Sequence, residues 1–344
     1  MFKQLLSFMS KQLQSLSSAD KIMLAILFGV NTLFCIFKSN PVTLSFYEMD
    51  SYSFLQKLVT MYEGIVEFNP VKHVSYGYYN YGYAYFLDLL VLCFPFLATK
   101  QHAIVIFISR FVSVLAMLGS VLIVQRWLSA ILSPRMLTLS LLTMLCNIIF
   151  FKPGILFYPD WTMTFFVIVA LYCQFKAKRV ESTHFWLAMA SFGIAIGVKF
   201  QAIIYAPFLV VMVFLLSWKD ANGSIQKWLN VMVVVALKVL LLWGALFIVI
   251  NPFILHPKGL MAFMHRFEEN MTRSDKSLYV YLTLYVVPIF YVANYYLAKV
   301  KVGLFKHISF AGAVLLYLVF QFNHYFFTKY NIVLLFVCMI TVGM

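Results

Sequence analysis

The amino-acid sequence predicts an all-α polytopic membrane protein of about ten transmembrane helices, with external juxtamembrane helices in its first outer loop. Three observations predict this class. The 344 residues are 63% hydrophobic and 11% charged, where a soluble domain is roughly half apolar and a quarter charged. The apolar residues come in long uninterrupted blocks, the pattern of spans that must satisfy their backbones internally. Lysine and arginine gather at short connections between those blocks, as the positive-inside rule expects.

Residues 1–21 are polar and carry three lysines, with Phe2, Leu5, Met9, Leu13 and Leu16 falling on one helical face. They read as a cytoplasmic interfacial segment. No small-residue cleavage site follows the first apolar run, which argues against a cleaved signal peptide. Residues 22–344 read as one membrane domain. Its apolar runs cover about 22–37, 81–98, 103–124, 136–151, 161–175, 185–218, 229–250, 278–298, 308–322 and 330–344. As a single helix, 185–218 would be about 50 Å long, against a hydrocarbon core of ~30 Å. It is therefore two spans, with Lys199 and Gln201 marking the tip of the hairpin.

Whether 81–98 crosses is decided by charge. If it does not cross, the connections carrying Arg126 and Arg135, Lys176, Lys178 and Arg179, Lys219 and Lys227, and Lys299, Lys301 and Lys306 all lie with the lysine-rich N-terminus in the cytoplasm. The segment is read as a helix lying in, or re-entering, the outer face. Its start, "YGYYNYGYAY", suits a membrane–water interface. Two large loops, about 38–80 and 251–277, are then external, and nine of the twelve acids lie outside. The chain stops within an apolar run, as a short member of its class or a truncated sequence would.

The net charge of +14 does not indicate nucleic-acid binding, because no basic patch is interleaved with readout residues. The five cysteines sit in apolar runs as small hydrophobes, without a CxxC pair. His73, His256, His265 and His324 are external or nearly so and lack metal-ligand spacing; GxGxxG, P-loop and GxSxG motifs are missing. Asn270-Met271-Thr272 is an external glycosylation triplet.

The chemistry-bearing candidates are the acids and cations at the outer ends of spans. Glu48 and Asp50 stand in "SFYEMDSYSF", just before a segment in which Tyr52, Leu55, Val59 and Tyr62 share one face and Gln56, Lys57, Thr60 and Glu63 another. That is a short amphipathic helix lying on the membrane. Asp50 is either its N-cap or a carboxylate general base. Asp160, in "FFKPGILFYPDWTMTFF", is either a turn residue and helix cap or a second carboxylate facing the same pocket. Lys152 and Lys199 lie at outer span ends, where snorkelling is the default and a phosphate contact the alternative. Lys238 lies inside 229–250, either within the membrane or at its cytoplasmic edge.

Together these pieces resemble the GT-C superfamily of integral membrane glycosyltransferases, in the branch of protein O-mannosyltransferases and lipid A aminoarabinose transferases. "YEMDSY" resembles the opening of the first external loop and "FNPVKHVSYGYYNYGYAYFLDLLVLCFPF" the second juxtamembrane stretch. "SRFVSVLAMLGSVLIVQRWLS" and "YPDWTMTFFVIVALYCQFKAKR" resemble the next spans, and "FWLAMASFGIAIGVKFQAIIYAPFLVVMVFLL" the lysine-hinged hairpin. "NPFILHPKGLMAFMHRF" resembles a later external loop and "FNHYFFTKYNIVLLF" the aromatic start of a later span. The likeness covers about 22–344. Many relatives continue into further spans or a soluble C-terminal domain that this sequence lacks.

The resemblance implies an inverting glycosyltransferase of the inner or plasma membrane that works at its outer face. Its donor would be a sugar on a polyprenyl or dolichyl phosphate, and its acceptor a hydroxyl of a glycan, lipid or protein. Asp50 would be the base. Glu48, Lys152, Asp160, Lys199, His256, Arg266 and His324 would contact substrate, the two lysines through the lipid phosphate. A divalent cation is left open, with Asp50 and Asp160 as its holders. A transporter or flippase, and a catalytically inactive membrane subunit, are the competing readings; the lack of an internal repeat counts against the first.

Overall fold

The computed structural model describes residues 16–42, 49–75, 83–129, 133–146, 148–156, 159–221, 224–257, 259–261 and 264. Among them all regular structure is helical. The segment 1–15, Glu48, the tyrosine-rich 76–82, His265, Arg266, the 270–272 triplet, His324 and the runs 278–298, 308–322 and 330–344 lie outside the described residues.

Helix α1 is Ser18–Lys38, capped by Ser17, whose hydroxyl accepts from the Asp20 amide at 3.1 Å. The expected apolar run 22–37 lies within this helix. Helix α2 is Met49–Val66 and α3 is Pro70–Ser75. The corner between them needs Gly64: a Cβ there would stand 2.5 Å from the His73 nitrogen. Phe68 adopts φ 52°, and the Asn69 side chain accepts from the Lys72 amide, capping α3. The inward face of α2 is Ser51, Phe54, Leu55, Leu58 and Met61, while Tyr52 is exposed and Tyr62 half-buried. The expected face of Tyr52, Leu55, Val59 and Tyr62 overlaps this stripe only at Leu55. The helix packs on a neighbour through Phe54 and Phe86, which turns the Phe54–Leu58–Met61 stripe inward.

Helix α4 is Tyr83–Ala98 and α5 is His102–Leu128. Helix α6 is Pro134–Leu145, followed by a 3-10 turn Ile148–Phe151 and the one-turn α7, Lys152–Ile155. Helix α8 is Asp160–Lys176 and α9 is Thr183–Val198. A 3-10 run Phe200–Tyr205 leads into α10, Ala206–Asp220. Helix α11 is Ile225–Ile250, with Pro252–Leu255 after it as a last 3-10 turn. The 185–218 block is broken into two helices at Lys199, as expected. By length and apolarity α1, α5 and α11 are able to cross a membrane; α9 and most of α4 are shorter apolar helices.

Cross-helix contacts sort the helix ends into two groups. At one end Phe150 stacks obliquely on Trp161, Asp160 meets Lys199, and Gly197 abuts Ile250. At the other, Trp127 packs on Tyr172 and Phe175, and the Asp220 carboxylate accepts from the Val180 amide. There too Lys238 pairs with Glu181. The partner of Lys238 lies in the α8–α9 connection, and both side chains are about half exposed.

Candidate functional site

The site grows from two helix ends. Asp160 is the first residue of α8, with Pro159 rather than itself in the cap position. A carboxylate in the first turn sits against the positive end of the helix dipole. Lys199 is the residue after α9, in an extended conformation (φ −153°, ψ 115°) that stops the helix and turns its side chain back. The ammonium donates to Asp160 Oδ1 at 2.6 Å. Relative side-chain exposure is 2% for the lysine and 9% for the aspartate. This burial corrects the snorkelling default for Lys199: its charge is inside the protein, and in a low-dielectric interior each partner supplies the other's counter-charge.

Lys152, half-buried, starts α7 at the same end. Its segment is fixed by Asn31 of α1. The amide of Asn31 donates to the Leu27 carbonyl at 2.8 Å and to the Phe150 carbonyl at 2.9 Å, and its oxygen accepts from the Gly154 amide at 3.1 Å. Gly154 is required by close approach: a Cβ would stand 2.4 Å from the Asn31 carbonyl oxygen.

Arg110 is a third cation, fully buried in α5 and near enough to Cys35 of α1 for electrostatic interaction. Helices α5 and α8 run parallel, with Gly119 beside Phe165 and Trp127 beside Tyr172. That register sets Arg110 about one turn, roughly 6 Å, beyond the level of Asp160. The sequence reading missed both Asn31 and Arg110. Each was visible as a strongly polar residue inside an apolar run, which is a functional candidate by default.

Asp50 is the second residue of α2, Met49–Val66. His256 follows the Pro252–Leu255 turn, which touches α3, so the two expected outer loops meet. Glu48, Arg266 and His324 are outside the described residues. Among the described residues no three His, Cys, Asp or Glu side chains cluster as metal ligands.

Residues 90–243 match the family of dolichyl-phosphate-mannose-protein mannosyltransferases. The match supports a membrane glycosyltransferase of the mannosyltransferase type, as the GT-C resemblance implied. The mannosyltransferase match contains Arg110, Lys152, Asp160 and Lys199; Asp50 and His256 lie outside it. No curated protein and no solved structure gives a significant match.

Proposed function

We propose that the protein moves a sugar from a polyprenyl- or dolichyl-phosphate carrier to an acceptor hydroxyl on the outer face of the membrane, with inversion. The observation that carries this reading is the buried Asp160–Lys199 pair, at one helix-end cluster and inside the mannosyltransferase match, with Lys152 and Arg110 near its level. A donor of this kind leaves as a phosphate, which needs cations more than it needs an acid. Charge-assisted contacts from Lys152 and Lys199 supply them. Asp160 orients Lys199 and neutralises it in the resting state.

Asp50 is assigned the role of base. It takes the proton of the acceptor hydroxyl as the new bond from that oxygen to the anomeric carbon forms. The bond from the anomeric carbon to phosphate breaks on the opposite side, and the lipid phosphate leaves with the electron pair. One carboxylate suffices, where a glycosidase that must also protonate its leaving group uses two.

Purified protein given dolichyl-phosphate-mannose, with peptide acceptors and with water as acceptor, tests the reading. Asp50→Asn should lower turnover by about 10²–10⁴-fold with the fold unchanged, the usual contribution of general base catalysis. Normal turnover in that variant removes Asp50 from the chemistry, and no turnover in the parent protein favours the transporter or inactive-subunit readings.

A further inference from the structure

We infer that Asn31 is a positioning residue for Lys152, and that it fixes where the lysine ammonium stands for the donor phosphate. This rests on the reading of Lys152 as a phosphate contact. Asn31 is fully buried midway along α1, where an apolar side chain would cost less. Both N–H bonds of its amide and its oxygen are used. Two of the three bonds leave the helix, to the backbone of Phe150 and of Gly154, two residues before and two after Lys152.

That bracket is where the chain needs help. Residues 148–155 pass from a 3-10 turn into a four-residue helix, and Pro153 has no amide hydrogen to give. The Gly154 amide belongs to the first turn, whose N–H groups lack intrahelical partners. Asn31 satisfies it and holds the Phe150 carbonyl as well. The backbone is thereby pinned on both sides of the lysine. Gly154 completes the device, since a Cβ at that position would displace the segment from α1.

The test uses the full chain in detergent, titrated with dolichyl phosphate and with dolichyl-phosphate-mannose, for the parent, Asn31→Leu, Lys152→Gln and the double variant, with Tm measured in parallel. Asn31→Leu should weaken binding of both probes about threefold to tenfold. That is short of the Lys152→Gln loss, roughly 10- to 150-fold for a charge-assisted contact. In the Lys152→Gln background the same change should leave the affinity unaltered. An equal loss in both backgrounds, or none in either, overturns the inference and leaves Asn31 as adhesive between α1 and α7. A Lys152→Gln variant that binds normally overturns the reading of Lys152 itself, and this inference with it, whatever Asn31 does. Should Asn31→Leu fail to accumulate folded, Asn31→Ser and Gly154→Ala carry the same cycle.

Discussion

Lys199 and Asp160 are 39 positions apart in the chain and 2.6 Å apart in space. Breaking a buried pair by removing one partner costs roughly 3–5 kcal/mol, because the remaining charge is stranded, whereas removing both is often nearly neutral. Lys199→Gln alone should therefore lower Tm in detergent clearly, and Lys199→Gln with Asp160→Asn should recover much of the loss while donor binding stays weak. An unchanged Tm in the single variant removes the pair from the fold's support. Lys238→Met makes the contrast. Its partner Glu181 and the lysine itself are half exposed, so the pair is worth about 0–1 kcal/mol and the variant should melt like the parent. The sequence reading found Asp160, Lys152 and Lys199 because charge is rare in this chain. It did not find that two of them bind each other, since pairing across 39 residues depends on helix rotation and level, which hydropathy does not encode. Asn31 and Arg110 were passed over for the same reason: their partners lie on other helices.

The helices pack through small residues where backbones come close. A Cβ on Gly197 would stand 2.6 Å from Ile250 Cγ2, and one on Gly193 2.7 Å from Leu246 Cδ1, whereas Gly244 has open space around it. Gly197→Ala should then destabilise by about 1–3 kcal/mol through overpacking. Gly244→Ala should be neutral or stabilising by up to about 1 kcal/mol, the helix-propensity difference. Thermal unfolding of the two variants decides it, and equal Tm values would mean that α9 and α11 do not pack as described. At the α2–α3 corner, Glu63 and Glu67 hold the Lys72 ammonium at 2.8 and 2.7 Å and raise its proton affinity above the ordinary lysine value. A raised value means that the contribution is full at neutral pH and lost only as pH climbs past 10.5 and through the raised value. Helix positions were legible: the run 161–175 is Asp160–Lys176, and the break at Lys199 fell where one lysine interrupts an apolar block. Relative level was not: helix α11 has 26 residues, about 39 Å, so apolarity alone does not say which part is level with its neighbours, whereas the Glu181 contact sets Lys238 level with the α8–α9 connection.

On the scale of the whole molecule, the contacts divide helix ends into the two groups that the basic connections had suggested. The end with Trp127, Lys176, Lys178, Arg179 and Asp220 should face the cytoplasm, and the end with Asp160, Lys199 and the α2–α3 corner the outside. In a cysteine-free background, Phe68→Cys (Phe68 is 93% exposed) should react with an impermeant thiol reagent in intact cells, and Lys178→Cys only after lysis. Equal reaction of both in intact cells would reject the orientation. The buried ion pair also has a history in time. Chains leave the ribosome at about 5–20 residues per second, so Asp160 reaches the bilayer region roughly two to eight seconds before Lys199 does. For those seconds α8 must wait with a carboxylate whose mate has not yet emerged. The closing of α9 upon α8 is thus scheduled by protein synthesis, and slow codons between the two residues lengthen the interval in which a nascent membrane protein carries an unanswered charge.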